Sequence, residues 1–268
     1  MLNFLYKTVA GRLILKILTR PTISRAAGYF MDSKPSSLFI KFFIWKNNIN
    51  LNDFEIEKWT SFNHFFTRRV KSSARDFSSD KSDFISPCDG LLTAYNITKD
   101  LTFNVKNSRY NICSLLENSE LAESYQNGTC LVFRLTPSHY HRYHYFDNGQ
   151  KGENIKIHGI LHTVQPIAIE SLPVYVQNSR EYCILNTENF GDVVFMEVGA
   201  MLVGRIVNYH QSHSFKRGDE KGKFEFGGST IILLFQKGKL ELNKKIIATS
   251  LTGREFPVKA GEKIGKAL

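Results

Sequence analysis

Apolar residues recur with the period of a helix at the beginning of the chain, one every four positions: Leu5, Val9, Leu13 and Ile17. Arg12, Lys16 and Arg20 form a separate stripe along the same segment. This spacing predicts an amphipathic basic helix. The helix should end at Arg20, because Pro21 disfavours helical geometry in the residue before it.

From residue 85 onward the pattern changes to short apolar runs separated by Gly, Asn, Asp and Pro. Runs of this length and spacing predict strands of a largely antiparallel sheet. The predicted strands are 131–135, 155–161, 193–198, 201–207, 231–235 and 246–249. The sequence therefore indicates an α+β fold, with a mainly antiparallel β sandwich or barrel as its core and N-terminal amphipathic helices that bind a membrane.

Two segments, 215–223 and 258–266, share the pattern apolar-Lys-x-Gly-acidic-x-x-Gly-Lys. Two similar glycine turns predict two similar hairpins. Turns of this kind also occur in lipoyl-type carrier domains. The modifiable lysine between small residues that marks such carriers is not found in either segment.

Composition places the chain among globular proteins, with 42% hydrophobic and 22% charged residues. No apolar run approaches the roughly 18 residues of a membrane-spanning helix, and basic residues interrupt every candidate signal-peptide core. A transmembrane span and secretion are therefore not expected. The 4 cysteines include no C-x-x-C pair and are expected to be reduced thiols.

The formal net charge is +10, and residues 1–46 carry most of the excess, since Asp32 is their only acidic residue. A basic helix with an apolar face, followed by Phe42, Phe43 and Trp45, favours contact with an anionic membrane. A helix packed on its own domain with a solvated charged face is the alternative. No nucleic-acid partner is expected, because the basic residues match no reader motif.

Three of the 8 histidines lie close together, at His139, His141 and His144. In an extended segment the first two would point to one side and His144 to the other. Zinc binding is one interpretation, but cysteine is absent nearby and Arg142 lies between the candidate ligands. We predict no metal site, which leaves structural or acid–base histidines.

Gly227 and Gly228 precede Ser229 and Thr230 at the start of a predicted strand. Glycine permits backbone conformations closed to other residues and leaves the Gly228 carbonyl unshielded. Ser229 could attack that carbonyl, converting the amide into an ester, and elimination would then leave an N-terminal pyruvoyl group. An ordinary bulge at the start of a strand is the alternative.

Asp89 lies in the apolar-flanked turn formed by residues 85–90. An Asp-Gly pair is most often only a turn. Asp89 could instead orient a histidine, which would combine it with the 139–144 cluster and Ser229 in an acid–base–nucleophile set. Spacing along the chain does not decide whether these residues meet.

Taken in order along the chain, four motifs resemble those of the phosphatidylserine decarboxylase proenzyme family: Phe65-Phe66-Thr67-Arg68, Ser86-Pro87-Cys88-Asp89-Gly90, Tyr140-His141-Arg142-Tyr143-His144 and Phe226-Gly227-Gly228-Ser229-Thr230. The resemblance runs over nearly the whole chain. It departs from the common pattern at Cys88, where many members carry alanine, and at Gly227, which replaces a leucine. Cys88 is interpreted either as a thiol beside the site or as a buried small residue.

The resemblance implies an enzyme that makes its own cofactor. Asp89 and His144 would hold and deprotonate Ser229, which attacks Gly228. Ser229 would become a pyruvoyl group, whose ketone forms a Schiff base with the substrate amine. The family associates the histidine at the position of His141 with the decarboxylation step.

The resemblance also implies a large chain, 1–228, and a small chain, 229–268, produced from one precursor. Residues 1–60 would form the basic membrane-association region, and 61–268 the decarboxylase domain. The implied reaction converts phosphatidylserine to phosphatidylethanolamine and carbon dioxide, with the protein bound peripherally to the cytoplasmic side of the cell membrane. A homodimer is expected by analogy only.

The anionic membrane would be contacted by the basic stripe of Arg12, Lys16 and Arg20, each such residue contributing roughly 1 kcal/mol near a charged surface. Two other functions remain open. One is a pyruvoyl decarboxylase that acts on a soluble amino acid or peptide. The other is an unprocessed membrane-binding or carrier-like sandwich.

Overall fold

Short helices build the N-terminal quarter of the protein and recur in the β-rich remainder. The computed structural model describes residues 2–105, 108–201, 205–227 and 229–268. In chain order the α-helices are α1 (Leu2–Lys7), α2 (Val9–Leu18), α3 (Pro21–Asp32), α4 (Ile40–Lys46), α5 (Phe62–Phe66), α6 (Ile112–Leu116), α7 (Ser119–Glu123), α8 (Pro166–Ile169), α9 (Val174–Gln177) and α10 (Lys244–Leu251). Segments of 3-10 helix span Lys34–Phe39 and Ser72–Ala74. Among the described helices, none has the length and apolar character needed to cross a membrane.

Most strands are short. In chain order they are β1 (Asp83–Ile85), β2 (Gly90–Asn96), β3 (Thr102–Val105), β4 (Ser108–Asn111), β5 (Thr129–Leu135), β6 (Arg142–His144), β7 (Gly149–Lys151), β8 (Ile155–Ile157), β9 (Arg180–Thr187), β10 (Gly191–Val198), β11 (Ile206–Asn208), β12 (His213–Phe215), β13 (Glu220–Phe224), β14 (Ser229–Phe235), β15 (Leu240–Leu242), β16 (Phe256–Val258) and β17 (Lys263–Ala267). The ladders between these strands are antiparallel, and an isolated parallel bridge joins Ile160 to Asn178.

The main sheet has nine strands, in the order β12-β7-β9-β10-β14-β5-β2-β16, with β8 added on β9. Smaller sheets have the orders β1-β17-β15, β11-β13-β6 and β3-β4. The α+β, mainly antiparallel fold is thus confirmed. The prediction of a closed barrel is wrong, because β12 and β16 are the two edge strands of the main sheet and do not pair with each other.

The predicted strands differ in outcome. Three are confirmed within β5, β10 and β14, while 155–161 is a strand only in β8 and 201–207 only in β11, with residues 202–204 outside the described part of the chain. The strand predicted at 246–249 is wrong, because this segment lies in α10. Asn243 caps that helix by accepting a hydrogen bond from the Lys245 amide, and the Ser250 hydroxyl accepts one from the Ala94 amide of β2.

The predicted N-terminal helix is divided into α1 and α2. The side chain of Thr8 caps α2 by accepting a hydrogen bond from the Gly11 amide at 3.0 Å, and this starts a new helix. Leu5 and Leu15 join the main hydrophobic core. The hydroxyl of Tyr6 lies 3.2 Å from Nδ1 of His162. The first two helices are therefore packed against the β-rich part of the protein.

The two repeated glycine turns are present, but they are not hairpins, since the strands flanking each turn pair with other strands. Gly218 and Gly261 have φ values of 85° and 84°, a conformation that favours glycine. The amide of Gly218 donates to the carbonyl of Tyr145 at 2.8 Å, and the amide of Gly261 donates to the carbonyl of Ser86 at 2.9 Å. The ring of Phe77 packs between the two turns.

The two glycine turns also form corresponding hydrogen bonds with the loops that they contact. The amide of Ala260 donates to Oδ1 of Asp89 at 2.9 Å, and the amide of Arg217 donates to Oδ1 of Asn148 at 3.0 Å. The main sheet shows the same repeat. It consists of two runs of four strands, β16-β2-β5-β14 and β12-β7-β9-β10, which meet along the β10–β14 ladder. The fold thus contains two similar units, and the inner one (β6 to β13) is inserted between β5 and β14 of the outer one.

Candidate active site

Ser229 and Asp89 lie at one edge of the main sheet, the edge that is formed by the ends of its strands. Ser229 opens β14 and pairs with Leu135, the last residue of β5, while Asp89 directly precedes β2, on the other side of β5. Since β14 and β2 are both antiparallel to β5, they run in the same direction and start at the same edge. Two strand spacings, about 10 Å, separate the backbones of the two residues.

His141 and His144 approach this edge from the inner unit. The amide of His144 donates to the carbonyl of Pro87 at 2.8 Å, which places this histidine beside the loop that ends in Asp89. The carbonyl of His141 accepts from the amide of Phe224, at the end of the strand that leads to Ser229. The site is therefore assembled from both units: the outer unit supplies Asp89 and Ser229, and the inner unit supplies the histidines.

The protonation of His144 is determined by a backbone carbonyl. Its Nδ1 lies 3.0 Å from the carbonyl oxygen of Gly218. A carbonyl can only accept, so Nδ1 carries the proton and Nε2 of the neutral ring keeps its lone pair. Nε2 is buried and has no hydrogen-bond partner among the described residues. Burial lowers the pKa of His144, although the Gly218 carbonyl and the charges of Glu220 and Asp89 act in the opposite direction.

His141 is fully buried, and neither ring nitrogen has a hydrogen-bond partner in the described part of the chain. Its ring centroid lies 4.1 Å from that of Phe66 in α5. Burial, assisted by the positive charge of Arg68, lowers the pKa of His141 well below its usual value. The imidazole is therefore neutral at physiological pH and carries one proton on a ring nitrogen.

Asp89 is held by an arginine rather than by a histidine. Its carboxylate accepts hydrogen bonds from Nε and Nη2 of Arg75 at 3.0 and 2.6 Å, in addition to that from the Ala260 amide. No hydrogen bond joins Asp89, His141, His144 and Ser229 to one another among the described side chains. Asp89 acts on His144 through its charge, which favours the protonated imidazole.

Ser229 is fully buried, and its Oγ has no hydrogen-bond partner among the residues described. The residue before it, Gly228, lies outside the described residues. Gly227 has a φ of 137°, which favours glycine and agrees with the expectation that this segment needs unusual backbone geometry. A buried, unpaired hydroxyl at a strand start is available to act as a nucleophile.

Two further residues near the site are structural. Cys88 is fully buried, and burial raises the pKa of its thiol well above the usual value, which confirms the interpretation as a buried small residue. Nδ1 of His139 accepts a hydrogen bond from the Thr136 amide at 3.0 Å and so stabilises the turn after β5. In the described part of the chain, no three His, Cys, Asp or Glu side chains are grouped as metal ligands.

The sequence patterns do not indicate a role for three contributors to the site, which are Arg68, Arg75 and Gly218. Arg68 was part of a recognised motif, and its guanidinium is 1% exposed beside His141. Arg75 and Gly218 act through contacts that span 14 and 74 residues of chain, which local patterns do not reveal. The only sequence signal at Gly218 was the repeated glycine turn.

Comparison with known proteins identifies the family of the chain. The sequence model described as phosphatidylserine decarboxylase matches residues 62–266. Phosphatidylserine decarboxylase proenzyme 2 of Clostridium acetobutylicum is 45% identical over 266 residues, which cover 99% of this chain and 91% of that protein. Phosphatidylserine decarboxylase proenzymes of Ruminiclostridium cellulolyticum and Clostridium botulinum are 43% and 41% identical, covering 100% and 98% of this chain and 91% and 92% of theirs. The chain belongs to the phosphatidylserine decarboxylase family.

Proposed function

We propose that the protein is a self-processing, pyruvoyl-dependent decarboxylase that converts phosphatidylserine to phosphatidylethanolamine and carbon dioxide. The observation that carries the proposal is that two buried groups of this family member, Oγ of Ser229 and Nε2 of His144, lie at one sheet edge and have no hydrogen-bond partner among the described residues. A hydroxyl and an unprotonated imidazole nitrogen are the nucleophile and the base that acyl transfer requires.

In the processing step, Oγ of Ser229 attacks the carbonyl carbon of Gly228, and Nε2 of His144 takes up the hydroxyl proton. The peptide C–N bond breaks as the C–O bond of an ester forms. Loss of the Cα proton of residue 229 then breaks the bond between Cβ and the ester oxygen, which releases residues 1–228 with a terminal carboxylate. Water replaces the enamine nitrogen of residue 229, which departs as ammonia and leaves a pyruvoyl group.

Asp89 contributes to this step electrostatically. When His144 accepts the serine proton it becomes positively charged inside a buried site, where an uncompensated charge is unfavourable. The Asp89 charge favours the charged imidazole. Arg75 holds the Asp89 carboxylate in place through two hydrogen bonds.

The surroundings of Ser229 fit a pyruvoyl group, because the residue is buried at the start of a strand and its oxygen has no competing partner among the described residues. The pyruvoyl group supplies a ketone that binds the substrate amine and accepts the electron pair left by departing carbon dioxide. His141 is buried and has no hydrogen-bond partner among the described residues, and we propose that its ring handles the proton taken up by the substrate carbon or positions the carboxylate that departs.

Access to phosphatidylserine is provided by the N-terminal helices, which we propose as the membrane-association region within residues 1–60. Arg12, Lys16 and Arg20 are exposed. The apolar residues Val9, Leu13 and Ile17 are also exposed, by 70%, 61% and 55%. Apolar side chains next to exposed cations suit the surface of an anionic bilayer, where burial and charge attraction add. We further propose, from the family resemblance, that the protein binds peripherally at the cytoplasmic side of the cell membrane, and a homodimer is expected by analogy.

The proposed function is tested by the intact mass of the purified protein under denaturing conditions and by its activity. We expect two chains divided between Gly228 and Ser229, with a blocked small chain, and release of carbon dioxide from carboxyl-labelled phosphatidylserine in vesicles. Ser229→Ala should remain one chain and be inactive, while Ser171→Ala, at an exposed serine in the turn after α8, should behave as wild type. A single, uncleaved wild-type chain, or equal activity on free serine, would contradict the proposal.

A further inference from the structure

Arg68 is a buried cation, and part of its guanidinium has unpaired hydrogen-bond donors among the described residues. It follows α5 and is 1% exposed, with its guanidinium carbon 4.2 Å from the ring centroid of Phe54 and 4.9 Å from that of Phe65. Nη2 donates to the backbone carbonyls of Ser138 and His139 at 3.0 and 3.3 Å. Nε and Nη1 are buried and have no hydrogen-bond partner among the described residues. Leaving two donors of a charged group unpaired in the interior is unfavourable.

Arg68 also has no ion-pair partner among the described residues, and the charge of Asp89 acts on it only from beyond ion-pair distance. No Asp or Glu of the described chain lies within ion-pair distance of it; Asp89 is bound by Arg75, and Glu220 is bound by Arg142. Burial lowers the pKa of Arg68 to about 10, so the guanidinium is still protonated at physiological pH. The interior next to the site therefore carries a guanidinium with which no carboxylate of the described chain is directly paired.

Arg68 is close to the reacting residues. Its charge acts directly on His141. The carbonyls of Ser138 and His139 that hold the guanidinium belong to the turn that follows Leu135, and Leu135 is the cross-strand partner of Ser229. The guanidinium therefore lies beside the turn that follows the cross-strand partner of Ser229, the residue at which the substrate amine would bind.

We infer that Arg68 binds the phosphodiester of the substrate head group and so positions phosphatidylserine at Ser229. The inference rests on the proposed function. In this substrate only two carbons and an ester oxygen separate the amine from the phosphorus, so an amine fixed at residue 229 keeps the phosphodiester nearby. Guanidinium is the side chain best suited to phosphate oxygens, through charge-assisted hydrogen bonds.

The substrate carboxylate is the other candidate anion, and the energetics of the reaction argue against it. The carboxylate charge disappears as carbon dioxide forms, so a cation bound there would stabilise the substrate more than the transition state and slow the reaction. The phosphodiester keeps its charge in substrate, transition state and product. A cation bound to it contributes equally to all three and therefore affects binding rather than the chemical step.

The test compares Arg68→Gln, which removes the charge, with Arg68→Lys, which keeps it, and with Arg69→Gln at the exposed neighbouring residue as the matched control. Intact mass reports self-cleavage, and assays in mixed micelles report KM, kcat and inhibition by the product phosphatidylethanolamine, which has the phosphodiester but not the carboxylate. We expect Arg68→Gln to be cleaved normally. Its KM should rise by about tenfold or more, because a charge-assisted hydrogen bond to the substrate is lost. Inhibition by the product should weaken by the same factor. Arg68→Lys should recover part of the loss, and Arg69→Gln should match wild type.

Several outcomes would overturn the inference. A raised KM with unchanged product inhibition would show that Arg68 binds the carboxylate, and lower thermal stability with unchanged KM would show a purely structural role. If Arg68→Gln is not cleaved, binding of glycerophosphoethanolamine to Ser229→Ala and to Ser229→Ala/Arg68→Gln decides the matter, and equal affinity would overturn it. The binding assay needs no decarboxylase activity, so a failure of the proposed function is distinguished from a failure of this inference.

Discussion

The carbonyl oxygen of Gly218 lies 3.0 Å from Nδ1 of His144 and thereby leaves Nε2 as the basic atom of the ring. In a Ser-His-Asp arrangement a carboxylate usually has this function. Here a left-handed glycine turn holds the imidazole, and the carboxylate of Asp89 is bound to Arg75. The tautomer of His144, the proposed processing base, is therefore set by the backbone of one unit, and the charge of Asp89 that favours its protonated form comes from the other.

We predict that His144→Gln prevents self-cleavage. Glutamine can still donate to the Gly218 carbonyl but has no basic nitrogen, and loss of a general base typically slows a reaction by about 100-fold or more. Intact mass at fixed times after synthesis measures the cleaved fraction. His158→Gln, at an exposed histidine, is the matched control and should be cleaved at the wild-type rate. Normal cleavage of His144→Gln would exclude His144 as the base.

Self-cleavage should be insensitive to pH from about pH 8 down to about pH 6.5, the usual pKa of histidine. Burial lowers the pKa of His144, so the neutral, basic form persists at pH values where an exposed histidine is already protonated. The rate should fall only on further acidification. Cell-free synthesis of the precursor in buffers of graded pH, followed by mass measurement, gives the profile. A rate that already halves near neutrality would mean that the pKa of the base is raised, not lowered.

Asp89→Asn should destabilise the fold as well as slow cleavage. The side chains of Arg75 and Asp89 are 5% and 9% exposed, and removing one partner of a buried pair typically costs about 3–5 kcal/mol. Urea unfolding of uncleaved proteins in the Ser229→Ala background measures the loss. Arg75→Gln should cost a similar amount, and the double variant should cost clearly less than the sum. Additive losses would show that the two side chains do not interact.

Replacing Arg12, Lys16 and Arg20 together with glutamine should weaken binding to anionic vesicles without affecting cleavage. Three exposed cations contribute up to about 3 kcal/mol, or on the order of 100-fold in affinity at low salt. Flotation with phosphatidylserine vesicles measures the change. The triple variant Lys237→Gln, Lys239→Gln, Lys245→Gln, at exposed lysines elsewhere, is the control and should bind normally. Loss of cleavage in the N-terminal variant would mean that the stripe supports the fold instead.

Much of the fold could be predicted because it follows local patterns. Apolar runs located the central strands β5, β10 and β14, and the glycine-acidic pattern located both repeated turns. The strand predicted at 246–249 was wrong, because two adjacent isoleucines fit a buried strand as well as a helix face, and the capping by Asn243 decides between them.

The candidate site was predicted through its four motifs, and the structure brings those motifs to one sheet edge. The contacts of the individual side chains could not be predicted. The partner of His144 is a carbonyl oxygen, which every residue carries, and the partner of Asp89 is one of many arginines. These contacts depend on how distant segments pack. The unpaired donors of Arg68 likewise become visible only in the structure, where no described neighbour accepts from its Nε or Nη1.

Because β14 lies in the middle of the main sheet, cleavage before this strand would change what keeps the protein folded. β14 lies between β10 and β5, and β16 and β17 pair with β2 and β1, so strands of 229–268 are laddered to strands of 1–228. A cut before Ser229 would leave the two pieces interlocked in one cooperative unit. Once unfolded, however, they would be separate molecules whose reassociation depends on concentration. The persistence of the cleaved protein would thus depend on its rate of unfolding rather than on reversible folding.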